Sequence, residues 1–263
     1  MDDRHFRQLL DFYQFSWRGY RKVRKGVKKR IRRHMQDLGC SSMDAYLEIL
    51  TASSEHCRRC RLLMAVSISR FMRDLPLWLE LQHAFLPELA RLFPETLHLW
   101  SAGCACGEEV YSFKMIWHLF MKQHANAPGL KVLATDINSE NLERAAVGEY
   151  PLSSLKEVPV SMRHAYFTPF KGGRRYRVRP ILKEGIQWEQ RNLSGALPEK
   201  KFHIIFLRNN VLTYYRGALK EKTMEAITGL LVLRGMLIIG DGETLEFRKL
   251  GLAPTGHPNV YRK

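Results

Sequence analysis

The chain has 263 residues and carries 42 Lys and Arg against 26 Asp and Glu, a formal net charge of +16. Hydrophobic residues make up 45% and aromatics 11%, which excludes a disordered polybasic chain, and the length allows one or two domains whose core needs no disulfide or metal staple. The five cysteines read as reduced thiols; no apolar run approaches the roughly 18 residues of a membrane span, and Asp2, Asp3 and Arg4 lead into no hydrophobic leader, so the expectation is a cytoplasmic protein without membrane insertion.

In chain order, residues 6–15, 18–38, 43–52 and 56–66 read as short helices of a small all-helical module, with Ser42 as a candidate cap and Gly39 as a stop. Arg18 to Arg33 holds ten Lys and Arg in sixteen residues and no acid. Val23, Val27, Ile31, Met35 and Leu38 recur at helical spacing through it, so one apolar edge packs inward and the basic faces point out. Residues 1–75 hold 17 basic and 8 acidic residues, a net +9 and more than half of the excess. A charged face with no counter-charge calls for an anionic partner: nucleic acid, a membrane surface or an acidic protein. His56, Cys57 and Cys60 form HCRRC, a single thiol pair without the second pair of a zinc site; it is read as two cysteines on one helix face, and no metal is expected.

From residue 97 the pattern changes. LHLW (97–100) is a strand running into the loop SAGCACG, followed by a helix from Glu108; KVLAT (131–135) is a second strand ending at Asp136, followed by a helix capped by Ser139. Strand, glycine loop, helix, strand, acid and helix form a βαβ unit of a parallel sheet. Residues 185–192, 202–209 and 235–241 supply later strands, with a helix near 216–231. Residues 150–184 interrupt the alternation; KGG reads as a hairpin turn and RRYRVR as a strand, a small β insertion carrying a second basic cluster between Lys171 and Arg179.

Gly103 and Gly107 lie in the strand-to-helix turn, where a missing Cβ lets a ligand approach the backbone. The loop lacks the G-x-G-x-x-G pattern, and Asp136 lies 29 residues beyond Gly107, farther than the about 20 of a nicotinamide site. A carboxylate at the second strand tip can still accept ribose hydroxyls. Glu108 and Glu109 directly behind the loop would repel a pyrophosphate and favour a sulfonium and an ammonium, which suits adenosylmethionine.

WSAGCACGEEVYSFKM (100–115), ATDINSENLERAAVGEY (134–150), FHIIFLRNNVLTYY (202–215) and SISRFMRD (67–74) together resemble the signature stretches of the CheR-type chemotaxis-receptor methyltransferases, in the right order and over nearly the whole chain. The resemblance implies an α/β, Rossmann-like methyltransferase fold dependent on S-adenosyl-L-methionine (SAM), with an N-terminal helical domain and linker over 1–75, a catalytic domain over 76–263 and a small antiparallel β insertion near 150–184. It implies methyl transfer from SAM to glutamate side chains of chemoreceptors, leaving S-adenosyl-L-homocysteine (SAH). By the same resemblance Ser67, Ser69 and Arg73 fall on linker positions that contact cofactor, and Gly103 lies in its loop. Glu109 falls on the acid that meets the methionine ammonium, and Asp136 on the ribose acid. Asn192 and Leu193 flank the adenine, Arg208 and Asn209 match an Arg-Asn pair that contacts cofactor, and Tyr214, with Arg73, falls in the active site. Arg21, Arg24, Lys25, Lys28, Lys29 and Arg32 of the basic helix become candidate contacts to an acidic receptor domain, and the protein is expected to be a monomer.

This sequence departs from the family pattern at several places. Ser67 and Ser69 stand where Asn and Thr are more usual, and Met72 where a second Phe is usual. RNNVLTYY has one extra residue, so Asn209 or Asn210, and Tyr214 or Tyr215, can take the matched roles. His203 replaces a usual Asp, and GDGETL (240–245) a usual Gly-His-Ser-Glu stretch. The insertion is shorter than the version that docks a receptor's C-terminal tether peptide, which argues against tether binding. The same fold acting on RNA or a small molecule, and a non-catalytic SAM-binding signalling module, are the competing readings.

Overall fold

A computed structural model describes residues 1–263. The chain divides into two compact units: a helical unit of Met1–Val66 with Asn209–Met224, and a sheet unit of Ser67–Arg208 with Glu225–Lys263. The boundary therefore lies nine residues before the expected 75/76, and a later segment joins the N-terminal helices. The physical reason is that Ser67 to Asp74 bond to side chains of the sheet unit, described below.

The helical unit contains α1 (Asp3–Phe12), α2 (Trp17–Tyr20), α3 (Arg24–Asp37), α4 (Met43–Ala52), α5 (Ser54–Met64) and, from the later segment, the short Val211–Tyr214 helix. Side-chain caps set the starts: Asp2 accepts from the His5 amide, Ser42 from Ala45 and Ser53 from His56, so α1 and α5 begin earlier than their apolar spacing suggests. The single helix expected over 18–38 is interrupted at Arg21–Val23, where the Val23 amide bonds back three residues to the Tyr20 carbonyl. Val27 and Ile31 are buried in a core with Phe6, Leu9, Tyr20 and Tyr46, while Val23, Met35 and Leu38 pack at its edge, so the predicted apolar stripe faces inward. His34, also buried, shares a hydrogen bond of 2.7 Å with the Tyr46 hydroxyl.

The sheet unit opens with α6 (Leu75–Glu80), a π-helical turn (Leu81–Phe85) and α7 (Leu86–Leu92), none of which the sequence reading placed. Then follow β1 (Thr96–Ala102), α8 (Glu108–Gln123), β2 (Gly129–Asp136) and α9 (Ser139–Val147). The α9 cap is Asn138, whose side chain accepts from the Glu140 amide, one residue before the expected Ser139. The insertion holds β3 (Glu149–Pro151), α10 (Val160–Tyr166), β4 (Phe167–Phe170) and β5 (Arg175–Val178); β4 and β5 pair antiparallel across the KGG turn, and β3 completes a three-stranded sheet. After β6 (Ile186–Gln190) and β7 (Phe202–Leu207) the chain runs through Val211–Tyr214, here α11, and α12 (Gly217–Gly229) to β8 (Leu231–Ile239), β9 (Ala253–Pro254) and β10 (Val260–Arg262).

The main sheet has the order β6-β2-β1-β7-β8-β10-β9. Its first five strands are parallel, and β10 runs antiparallel to β8. This is a Rossmann-like arrangement, as expected. Leu97 and Leu99 of β1, Val132 and Ala134 of β2, and Ile204 and Phe206 of β7 are buried in one core with Val110, Phe113, Ile116 and Trp117 of α8. The chain passes from β1 to β2 on one side and later returns to β7 on the other, so the strand order reverses at β1, and ligand sites of such sheets lie at the carboxyl ends there.

Candidate active site

β1 ends in a loop built to hold its backbone close to β2. The Gly103 and Cys104 amides both donate to the Thr135 carbonyl at 2.8 Å. Gly103, Ala105 and Gly107 all take positive φ, at 83°, 50° and 87°. At Gly107 a Cβ would lie 2.8 Å from the Ala145 Cβ and 3.0 Å from the Trp188 ring, so only glycine lets α9 and β6 close on this turn. The Tyr150 hydroxyl donates to the Cys106 carbonyl at 2.6 Å and fixes the loop from the insertion side.

Asp136 closes β2 with its carboxylate buried. Its Oδ2 accepts from the Ala105 amide (2.9 Å), and its Oδ1 accepts from the Asn138 amide (2.9 Å) and the Asn141 side-chain amide (3.1 Å). Burial pushes its pKa up, and those hydrogen bonds to the ionised form oppose the rise. Asn141 was not singled out from the sequence; the one signal was its place five residues after the strand-tip acid, on the first turn of the next helix.

The first turn of α8 presents two acids with different partners, Glu108 buried and Glu109 largely so. Glu109 accepts from the Ser101 hydroxyl (2.8 Å) and faces the Arg208 guanidinium at 3.3 Å. Burial raises its pKa, opposed first by the Arg208 charge. Glu108 is 6% exposed, its pKa is raised by burial, and Ser69 hydrogen-bonds to it. Its Oε2 has no protein partner. A buried carboxylate oxygen without a donor is unfavourable unless something outside the protein supplies one.

The linker places Ser67, Ser69 and Arg73 against these elements. Ser67 Oγ accepts from Asn141 at 2.8 Å. Met72 and Asp74 have φ of 54° and 64°, a left-handed geometry that L residues rarely hold without support. The support is visible: the Met72 amide donates to Ser112 Oγ (2.9 Å), and the Trp78 indole donates to the Arg73 carbonyl (2.8 Å). Arg208, at the end of β7, donates to the same carbonyl (3.2 Å) and pairs with Asp74. Arg208, which the resemblance places at the cofactor, thus directs its terminal nitrogens to Glu109, Asp74 and the Arg73 backbone, and so also braces the linker. Trp78, Ser101 and Asp74 were also missed, because their roles arise only from this convergence.

Asn192 and Leu193 follow β6, held beside Asp136 by the Arg191 amide, which donates to the Asp136 carbonyl at 2.9 Å. The Asn192 side chain closes its own turn by accepting from the Ser194 amide and hydroxyl.

Asn209 and Tyr214 belong to the helical unit. Asn209 takes φ of 56°, and Asn210 caps α11 by accepting from the Val211 amide. The Tyr214 ring lies 4.9 Å from that of Tyr20, and Tyr215 stacks on Phe15 at 5.3 Å within the helical core. A Cβ on Gly19 would sit 2.2 Å from the Thr213 carbonyl oxygen, so this glycine sets the approach of α2 to α11.

Among the basic candidates, Arg21, Lys25, Lys29 and Arg32 are exposed. Arg24 and Lys28 are instead partly buried and paired with Asp3 of α1, which corrects the expectation of a face without counter-charge. No group of three or more His, Cys, Asp or Glu is placed to hold a metal, and Cys57 and Cys60 are free thiols on α5.

The acids fit a ligand with hydroxyl donors at one end and positive charge at the other. The unpartnered Glu108 oxygen and the remaining acceptor capacity of Asp136 match the ribose and the cationic amino acid portion of SAM, and neither acid would accept a pyrophosphate.

Residues 67–254 match the family model described as CheR methyltransferase, SAM binding domain. A chemotaxis protein methyltransferase of Listeria monocytogenes is 31% identical over 70% of this chain and 67% of its own length. A probable chemotaxis protein methyltransferase of Rhizobium etli is 31% identical over 84% of each chain. An uncharacterized 104.1 kDa protein of Rhodobacter capsulatus is 28% identical over 83% of this chain, which spans only 23% of that protein. The match starts at Ser67, the first residue of the sheet unit, and runs through the glycine loop, the strand-tip acid and the Arg208 framework; this chain belongs to the CheR methyltransferase family, and its cofactor is S-adenosylmethionine.

Proposed function

We propose that the chain methylates glutamate carboxylates on an acidic, helical, chemoreceptor-type domain, forming glutamyl methyl esters. The observation that carries this reading is the exposed cationic surface of α3 and the turn before it, with Arg21, Lys25, Lys29 and Arg32 on a segment that contains no acid, in a chain whose relatives are named chemotaxis methyltransferases. Such a surface matches an acidic helical partner and steers its approach. No helix is long and apolar enough to cross a membrane, and the proposed compartment is the cytoplasm, where receptor signalling domains lie.

When bound, SAM supplies a methyl group on a sulfonium. Asp136 accepts from the ribose, Asn192 and Leu193 flank the adenine, and the acids Glu108 and Glu109 offset positive charge. A glutamate acceptor has a pKa near 4.3 and is already ionised at neutral pH, so no residue has to remove a proton. The chain contributes alignment and a water-poor setting, which strengthens the interaction of opposite charges. Arg73 engages a carboxylate through charge-assisted hydrogen bonds, and its backbone is fixed by Trp78 and Arg208 for that purpose.

The test is incubation with methyl-labelled SAM and receptor cytoplasmic fragments. Label released as methanol on mild alkaline treatment supports the ester. Alkali-stable label, or label in RNA, supports the nucleic-acid reading, for which the basic insertion between Lys171 and Arg179 is the favouring feature. SAM binding without transfer to any acidic fragment supports a signalling module.

A further inference from the structure

We propose that Asn141 is a positioning residue of the cofactor site: it ties the Ser67 hydroxyl to the Asp136 carboxylate and so fixes which acceptor lone pair and which hydroxyl proton meet the ribose. Asn141 is 4% exposed on the first turn of α9. Its side-chain amide donates to Ser67 Oγ at 2.8 Å and to Asp136 Oδ1 at 3.1 Å, and its oxygen accepts from the Cys106 thiol at 3.6 Å. One side chain therefore joins the linker, the strand-tip acid and the glycine loop.

The hydrogen-bond count gives the consequence. A carboxylate offers about four acceptor positions. Asn138 and Asn141 occupy Oδ1, and the Ala105 amide takes one position on Oδ2. What remains for a ligand is on Oδ2 alone. Ser67 accepts from Asn141, so its own proton is left to donate outward. Asn141 thereby presents one acceptor and one donor side by side, the pair that a ribose diol recognises.

Asn141 also favours the ionised form of Asp136, because a donated hydrogen bond strengthens with charge on the acceptor. The other groups around the acid do not replace it. The Cys104 thiol is pushed up by burial and Cys106 to about 11, so both are neutral near pH 7. Arg144 of α9 and Glu108 of α8 act on Cys106, and the Arg191 guanidinium is turned to Glu189.

The test measures SAH binding by calorimetry on the full chain between mildly acidic and mildly alkaline pH, with no turnover required. Asn141→Leu is expected to weaken binding about 10-fold, the loss of one hydrogen bond to a charged group, and to lose more as pH falls, because Asp136 then protonates sooner. Asn141→Asp, with nearly the same volume, is expected to bind poorly at alkaline pH and to recover as pH falls, because the introduced carboxyl, once protonated, again donates to Asp136. Ser67→Ala should cost a few-fold in the parent and little in Asn141→Leu. Opposite pH trends with non-additivity support the proposal. Parallel pH profiles in all variants, or wild-type affinity in Asn141→Leu, overturn it; if Asn141→Leu fails to fold, the near-isosteric Asn141→Asp and the exposed Ser67→Ala decide.

Discussion

Arg208 Nη1 lies 3.3 Å from Glu109 Oε2, and the same guanidinium bonds the Arg73 carbonyl and Asp74. One side chain, 4% exposed, therefore neutralises the second acid of α8 and locks the strained linker. Removing it with Arg208→Met leaves Glu109 buried without its counter-charge. Breaking one side of such a pair costs about 3–5 kcal/mol. Denaturant melts should show that loss, and SAH affinity should fall as well. Glu109→Gln combined with Arg208→Met should be less damaging than the two single losses together. Additive losses would show that the pair is not coupled.

Asp136 holds the loop through the Ala105 amide and, in our reading, the ribose through its remaining acceptor position. Asp136→Ala should weaken SAH binding by about 100-fold or more, from hydrogen bonds to a charged acceptor worth about 1.5–3 kcal/mol each. Calorimetry checks this, and unchanged affinity would remove the acid from the cofactor site.

Acid should destabilise the fold through one buried and three half-buried histidines. Burial holds the pKa values of His34, His98, His118 and His203 below the ordinary histidine value. A histidine whose folded pKa is lowered stays neutral while the unfolded chain takes up a proton, so its contribution is complete above about pH 6.5 and is lost as pH falls below it. His203 shows why: its Nδ1 accepts from the His98 amide at 2.9 Å and cannot do so when protonated. Melting temperature should drop from pH 7 to pH 5, and His203→Gln should flatten part of that slope. The buried acids Glu108, Glu109 and Asp136, whose pKa values are raised, act in the opposite direction, and they cancel in the comparison with the variant. An unchanged slope in His203→Gln would exclude His203 as a source.

The cationic surface of α3 should matter for substrate and not for cofactor. Lys25 and Lys29 are exposed, whereas Arg24 and Lys28 support the fold through Asp3. Lys25→Glu with Lys29→Glu should lower kcat/KM on a receptor fragment about 10-fold at low salt, and less as salt rises, as expected for charges that steer encounter. SAH affinity should not change. Lys28→Ala should instead lower the melting temperature. Equal kcat/KM in the charge-reversed protein would move the substrate surface elsewhere.

Much of this was legible in the residues because it is written locally. The β1-loop-α8-β2 order follows from short apolar runs, two glycines and a terminal acid, and the inward edge of α3 follows from its four-residue spacing. Ser42 as a cap was readable for the same reason: its bond reaches only three residues along the chain. The break at Arg21–Val23 was not, because it depends on how Tyr20 is buried, and the Asn138 cap displaced Ser139 by a choice between two neighbouring side chains that could each accept.

The sequence by itself determined the parallel sheet, the acid at the tip of its second strand, the family and the cofactor, since each rests on patterns within a few residues or on motifs in a fixed order. Only the tertiary structure decided which side chains serve each other. Arg208 lies 135 residues from Arg73 and Asn141 lies 74 from Ser67, yet each pair is hydrogen-bonded. A contact of that range leaves no periodic trace in the chain; it is fixed by the sheet, which brings the carboxyl ends of β1, β2 and β7 together with the linker, and by burial, which drives most polar groups there to pair within the protein and leaves Glu108 Oε2 for a ligand.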